Sequence, residues 1–241
     1  MTLQANDLEI YDAHADCWWD GSIRWLRTLH NLVPARLSYF DQFVESWAGK
    51  RVIDVGCGGG FMAESLAECS AEVVGIDQSR RAIEVARAHA ISRNLSIDYH
   101  TGRAECLDFP DESFDVVVCV DVLEHLDERA LAIAEMSRVL KTGGHFVFDT
   151  INRNWLAKFS VVTAAERIVG LLPRGAHDPD LFIGPKDLRM ALARENLHVV
   201  DAAGLGPVGI YRNFDIQFGR LPLTLVQYMG AAVKVPPASL Y

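Results

Sequence analysis

The pattern of hydrophobic and polar positions changes character twice along the chain. Residues 1–49 carry aromatics at irregular spacing: Tyr11, Trp18, Trp19, Trp25, Tyr39, Phe40, Phe43 and Trp47. Several stand beside polar residues rather than in a clean stripe. The segment predicts a helical cover, either packed on a sheet edge or closed as a lid over a cofactor. From Arg51 short apolar runs alternate with helical periodicity. RVIDV, EVVGID, SIDYHT, FDVVVCV and GGHFVFDT predict five strands. FDVVVCV is so continuously apolar that burial on both sheet faces is expected. Helices are predicted from about Phe61 to Cys69, over SRRAIEVARAHAISRN with Ser79 as N-cap, and from about Glu128 to Leu140. Strands alternating with helices imply a parallel sheet.

After Thr150 the alternation stops. Roughly thirty residues precede Pro185, which opens a helix over PKDLRMALARE. LHVVDAAG predicts a sixth strand and the region LTLVQYMGAAVK a seventh. The expected fold is α/β, a doubly wound, mostly parallel seven-stranded sheet. It is read as one domain over 1–241, with a helical cover (1–49), a cofactor-binding core (50–150), a cap insertion (151–185) and the C-terminal part of the sheet (186–241).

Composition narrows the function. Half the residues are hydrophobic and 23% are charged, as in a globular chain rather than a disordered one. A net charge of −9 disfavours nucleic acid as a partner, because phosphate contacts need Lys and Arg. Cys17, Cys57, Cys69, Cys106 and Cys119 are scattered without a C-x-x-C pair, which fits reduced thiols in a cytoplasm. MTLQANDLEI lacks a basic stretch followed by an apolar run, so no secretory signal is expected. No apolar run approaches the roughly 18 residues of a membrane span.

The sharpest chemical signal is V-I-D-V-G-C-G-G-G at Val52–Gly60. Glycines at 56, 58, 59 and 60 let backbone turn tightly and approach a ligand where the first strand meets the first helix. Asp77, followed by Gln78, ends the second strand, where an acid accepts hydrogen bonds from ribose hydroxyls. Asp54 precedes the loop. A carboxylate there sits badly with a pyrophosphate and well with a cationic amino-acid group, which favours S-adenosylmethionine. The spacing G-x-G-x-G, rather than G-x-G-x-x-G, speaks against a nicotinamide oxidoreductase.

This loop, Asp77, Ala104–Glu105, FDVVVCVDVLEH at 114–125 and LKTGGHFVFDT at 140–150 resemble the successive motifs of class I methyltransferases. The resemblance implies that Asp77 holds the ribose, that Ala104 and Glu105 flank the adenine, and that Val120 lies under the methionine. The implied cofactor set is Arg36, Asp54, Gly56, Cys57, Gly58, Asp77, Gln78, Ala104, Glu105 and Val120, with Arg36 toward the cofactor carboxylate. A closer resemblance runs almost end to end. Trp18–Trp19, PARLSYF at 34–40, TINRN at 150–154, LLPRGAHD at 171–178, FIGPKDL at 182–188 and VQYM at 226–229 resemble the ubiquinone-pathway O-methyltransferases. That family methylates catechol-like polyprenyl intermediates, which implies a phenolic small-molecule acceptor here. The chain departs from the family at Asp121, where Glu is common, and over 204–225, on the expected substrate side. Another small-molecule acceptor, or a cofactor-binding regulator without turnover, are the alternatives.

Asp121, Glu124 and His125 form D-x-x-E-H at the exit of the fourth strand. On a helix, positions i, i+3 and i+4 share a face and would hold a divalent cation such as magnesium. Alternatively Asp121 and Glu124 form a capping box. His125 is a candidate general base. So is His177, whose charged form the adjacent Asp178 would favour; a surface role for His177 is the alternative. Within the insertion, Ile151 to Ala176 holds Arg153, Lys158, Arg167 and Arg174 against one acid, Glu166, among apolar residues such as Trp155, Phe159 and Val162. That composition suits peripheral contact with an anionic membrane, at the cytoplasmic side of an inner membrane, or a buried lid helix.

Overall fold

The computed structural model describes residue 6 and residues 8–237. Most of the segment read for a secretory signal therefore lies outside the described residues. The cover comprises α1 (Glu9–Ala13), a 3-10 turn (Ala15–Cys17) and α2 (Arg24–Phe40). Then follow β1 (Arg51–Val55), α3 (Phe61–Glu68), β2 (Glu72–Asp77), α4 (Arg80–Ser92), β3 (Ile97–Thr101), β4 (Phe114–Cys119), α5 (Arg129–Val139) and β5 (Leu140–Ile151). The insertion forms α6 (Trp155–Lys158), which widens into a π-type helix over Phe159–Val169. The chain closes with α7 (Pro185–Arg194), β6 (Leu197–Ile210), β7 (Ile216–Leu221) and β8 (Gln227–Lys234). Ser79 caps α4 as its sequence predicts: its Oγ accepts from the Ala82 N–H at 3.0 Å.

The strands form one sheet in the order β3-β2-β1-β4-β5-β8-β6-β7. Pairing is parallel from β3 to β5 and antiparallel from β5 to β7. The chain winds outward in both directions from the β1/β4 boundary. The crevice beyond the carboxyl ends of these two strands is where such sheets bind ligands. β4 is buried on both faces, as its apolar run predicts. Val116 and Val118 pack with Leu32, Leu66 and Ile83 beneath α2, α3 and α4. Val117 and Cys119 pack with Ile133, Met136 and Leu188 beneath α5 and α7.

Among the described residues eight strands form where seven are expected. The eighth, β7, lies in the 204–225 segment. Its partner β6 runs past Gly204, the end of the expected sixth strand, through Gly206, Pro207 and Gly209 to Ile210. The hairpin accommodates the proline at a bulge, where register shifts between Pro207 and Gly209. Val208 is the extra residue of that bulge, and Pro207, paired with Phe218, lies beyond Leu205, where the pairing of β6 with β8 ends.

Gly230, in β8, packs face-on against the Phe148 ring of β5: a Cβ there would fall 2.2 Å from Phe148 Cζ. Gly230→Ala forces the ring to move within a filled core. The expected loss is about 1–3 kcal/mol, read as a lower denaturation midpoint with an unchanged slope. An unchanged midpoint would show that the ring yields freely.

Candidate active site

The glycine loop leaves β1 with Gly56, Gly58 and Gly60 at φ of 78°, 52° and 97°, a region L side chains rarely adopt. Space is also closed to side chains there: a Cβ on Gly56 would lie 2.2 Å from Val122 Cγ2, and one on Gly58 2.5 Å from Trp18 Cζ2. Asp77 holds the loop in place. Its carboxylate accepts the Gly58 N–H at 2.9 Å and the Ser79 N–H at 2.8 Å. Between the loop and the ends of β2 and β4 lies a cavity of about 190 Å³. Arg36, Asp54, Gly56, Cys57, Gly58, Asp77, Gln78, Ala104, Glu105 and Val120, every residue of the expected cofactor set, line it together.

The N-terminal cover roofs this cavity. Tyr11 and Trp18 line it. Trp19 Nε1 donates to the Gly59 carbonyl at 2.8 Å, and its ring stacks on His89 with centroids 3.7 Å apart. Ser79 donates to Asp12 at 2.6 Å. Of the two expectations for this segment, the lid describes its first part, while α2 packs on the sheet. The roofing aromatics were visible in the sequence as residues, but their approach to a loop some forty positions away was not.

The cavity wall is rich in acid. Asp54 is fully buried and neither of its oxygens has a hydrogen-bond partner. Burial pushes its pKa up to about 7 against the pull of Arg36. Arg36 lines the cavity, but its Nε donates to Asp149 at 2.6 Å and its Nη2 to Asp121 at 2.5 Å. It serves two carboxylates of the protein while it lines the cavity. Burial likewise raises Asp149 and Glu124 above the usual carboxylate range. An unpartnered carboxylate beneath a glycine loop, beside a second acid at the end of β2, fits a ligand with an ammonium group and a ribose.

The D-x-x-E-H segment does not fold as expected. Asp121 takes a left-handed backbone at φ 53°, and only a 3-10 turn (Leu123–His125) follows before α5. The premise of one helical face therefore fails, and the three side chains go to separate partners. Asp121 binds Arg36 and accepts from Gln227 at 3.1 Å, Glu124 accepts from Thr150 at 2.9 Å, and His125 Nδ1 lies 2.8 Å from Asn6 Oδ1. Among the described residues no group of three His, Cys, Asp or Glu side chains is set to hold a metal ion. The expected magnesium ligands do not fit that role. The capping box is absent too, since the Asp121 carboxylate faces Arg36 and Gln227.

His125 lines the cavity, and its ring centroid lies 5.0 Å from that of His177. His177 is no surface residue: it is buried, with Nδ1 2.8 Å from Glu166 Oε1. Its carboxylate partner is thus Glu166 and not Asp178, which instead accepts the Asp180 N–H at 3.0 Å. Burial, then the neighbouring His177, drives the His125 pKa well below the usual histidine range. Glu166 is the buried site residue that sequence reasoning missed. Its signal was to be the lone acid in the basic, apolar stretch from Ile151 to Ala176.

Residues 53–148 match the family model described as a methyltransferase domain. The ubiquinone biosynthesis O-methyltransferase of Proteus mirabilis is 34% identical over 94% of this chain and 91% of its own. That of Shewanella halifaxensis is 37% identical over 96% of this chain and 97% of its own. Among solved structures, magnesium protoporphyrin IX methyltransferase from Synechocystis PCC 6803, with bound SAH, superposes with a TM-score of 0.67. It covers 95% of each chain at 18% identity, a likeness of fold. A roofed glycine-loop cavity at the switch point and relatives matched nearly end to end lead to one conclusion: this chain belongs to the ubiquinone biosynthesis O-methyltransferase family and is an S-adenosylmethionine-dependent O-methyltransferase.

Proposed function

We propose that this enzyme methylates a phenolic oxygen of a catechol-like polyprenyl quinol precursor, with His125 as the general base. The observation that carries the proposal is the placement of unpartnered Asp54 and of His125 on the walls of one roofed cavity. Asp77 is assigned to the ribose hydroxyls, Asp54 to the ammonium of the methionine part, and Ala104, Glu105 and Val120 to the nucleoside and methionine flanks. The bound cofactor supplies an electrophilic methyl on a sulfonium, which a phenolate oxygen displaces in line. The protein then has two tasks: to align the acceptor and to remove its proton. Asn6 sets the proton on His125. Its Nδ2 donates to the His125 carbonyl at 3.0 Å, so its Oδ1 faces the ring as acceptor and Nδ1 carries the hydrogen. That leaves Nε2 with a free lone pair. The depressed pKa keeps the ring neutral near pH 7, ready to take the phenol proton. No cation is needed at Asp121, Glu124 and His125 for this route.

The insertion supports a second part of the proposal, peripheral attachment to an anionic bilayer at the cytoplasmic face, where a polyprenyl acceptor resides. Val161, Phe182 and Ala157 are buried together with Ile151, as a lid helix would be. Trp155 and Phe159, in contrast, are 79% and 53% exposed, and Lys158, Arg167 and Arg174 are exposed beside them.

Four outcomes are expected. Asp54 must be ionised to hold an ammonium, so S-adenosylhomocysteine should bind more tightly as pH rises toward 8. Below the Asp54 pKa of about 7, affinity should fall by up to about tenfold per pH unit. In calorimetry Asp54→Asn should flatten that profile and weaken binding roughly 10- to 100-fold; a flat wild-type profile would refute the pairing. His125→Gln should lower kcat on catechol acceptors by about 10²–10⁴ while leaving S-adenosylhomocysteine affinity unchanged. Wild-type turnover should persist in excess chelator; a loss that magnesium restores would return a metal to the mechanism. Liposome sedimentation should show weak binding to anionic vesicles that fades with salt, at about 1 kcal/mol per basic residue near the surface. Changing Lys158, Arg167 and Arg174 to Glu should abolish it. A wild-type protein that ignores anionic vesicles at low salt would end the membrane proposal.

A further inference from the structure

We propose that the indole N–H of Trp18 donates to the carboxylate of the cofactor's methionine part, completing with Asp54 a site for an α-amino-acid group. This rests on the assignment of Asp54 to the ammonium. Two tryptophans stand side by side in the cover, and the folded chain treats them differently. Trp19 Nε1 donates to the Gly59 carbonyl at 2.8 Å. Trp18 is only 6% exposed and lines the cavity, yet among the described residues its Nε1 has no partner. A buried donor left unmet is costly and uncommon, and one on a cavity wall is met by what the cavity binds. Asp54 presents the converse on the same cavity: two buried acceptor oxygens without a donor. An unmet N–H and an unmet carboxylate on the walls of one cavity are complementary to a zwitterion, whose carboxylate and ammonium share a single carbon.

The glycine loop leaves room for this indole. A Cβ on Gly59 would fall 2.3 Å from Trp18 Cγ, as one on Gly58 would meet Cζ2. The two glycines therefore admit the ring directly against loop backbone. Its aromatic neighbours are Phe61, with centroids 5.6 Å apart, and Tyr11, at 6.4 Å. The Tyr11 ring in turn lies 6.5 Å from that of His125, beyond the end of β4. Trp18 thus stands toward the β1–β4 end of the cavity with Asp54 and Arg36, whereas Gly102, Ala104 and Glu105 wall the end beyond β3. The amino-acid part belongs at the first end and the nucleoside at the second. Hydrogen-bond donors are scarce at the first. Arg36 already serves Asp149 and Asp121, and an ionised Asp54 only accepts. The Trp18 N–H has no competing acceptor among the described residues, and as a neutral donor it adds no buried charge. Its bond to a carboxylate is charge-assisted, the stronger kind.

The test uses three ligands that differ only in the amino-acid group. These are S-adenosylhomocysteine, S-adenosyl-3-thiopropylamine, which lacks the carboxylate, and the 3-carboxypropyl thioether of adenosine, which lacks the ammonium. Affinities are measured by calorimetry at pH 8, above the Asp54 pKa of about 7. Trp18→Phe keeps an aromatic ring and removes the N–H. It should weaken S-adenosylhomocysteine and the carboxypropyl thioether roughly 10- to 100-fold against wild type and leave the thiopropylamine unchanged. Asp54→Asn should show the opposite selectivity, weakening S-adenosylhomocysteine and the thiopropylamine while sparing the carboxypropyl thioether. Equal losses on all three ligands in Trp18→Phe would reduce the indole to an apolar wall, and unchanged S-adenosylhomocysteine affinity would show that the cofactor does not use the N–H; either overturns the proposal. The wild-type protein gives a second readout. In proton–nitrogen-15 spectra the Trp18 indole signal, identified by its loss in Trp18→Phe, should move downfield with S-adenosylhomocysteine and stay in place with the thiopropylamine. Equal movement with both ligands would also overturn it. The two levels separate cleanly. If Asp54→Asn loses its selectivity for the ammonium while Trp18→Phe keeps its selectivity for the carboxylate, the Asp54 assignment has failed. If Asp54→Asn is selective and Trp18→Phe is not, only the role of Trp18 falls.

Discussion

Arg36 sits between Asp121 and Asp149 with contacts of 2.5 and 2.6 Å, and the organisation of the catalytic edge depends on that buried guanidinium. Asp54 and Glu124 are buried close by. Acids in this number exceed what one cation neutralises, and burial then favours their protonated forms. Removing Arg36 would leave uncompensated buried charge, the situation in which a buried pair becomes strongly destabilising. Because Arg36 belongs to α2, Asp121 to the end of β4 and Asp149 to β5, the same network ties the cover to the two central strands. The left-handed backbone of Asp121 belongs to this arrangement. Its N–H donates to Asp149 at 2.8 Å while its carboxylate turns to Arg36.

The acid excess also explains the choice of cofactor. A cavity with an unpartnered carboxylate repels a pyrophosphate and receives an ammonium. Four glycines in the loop provide close approach of backbone but no side-chain walls. The walls come from elsewhere: Trp18 and Tyr11 from the cover, Val120 and His125 from the exit of β4, and Glu105 from the segment after β3. A glycine loop in a fold of this kind thus depends on remote segments to enclose it. The chain's own substitutes for side chains on the loop are aromatic, which excludes water and strengthens every electrostatic contact inside.

The segments that interrupt the α/β alternation stand at the same edge of the sheet as the cavity. The insertion supplies His177 and Glu166, and its outer surface leaves Trp155 and Phe159 uncovered. The β6–β7 hairpin projects from the same edge of the sheet as the carboxyl ends of β1 and β4, since β6 runs antiparallel to β8 and β8 antiparallel to β5. Its residues 204–225 are those that depart from the resembled family.

Beyond what the family resemblance implied for Arg36, Ala104, Glu105 and Val120, the amino-acid sequence alone determined the parallel half of the sheet, the helices between its strands, the Ser79 cap and the glycine loop with its flanking acids Asp54 and Asp77. These are set by local periodicity, by glycine spacing and by acids at strand ends, all encoded within a few residues of one another. The tertiary structure decided the rest. D-x-x-E-H looked like a helical metal site because sequence spacing was read on a helix that does not form. A buried guanidinium 85 positions away claims Asp121 instead. His177 looked equally suited to the surface, and its burial depends on Glu166, eleven residues earlier and brought inward by a wide helical turn. β7 was missed because Gly206, Pro207 and Gly209 interrupt the apolar pattern of its partner β6, and only strand pairing reveals the hairpin. Long-range charge pairing and strand pairing leave no local periodicity, so only the folded chain reveals which distant residues satisfy them.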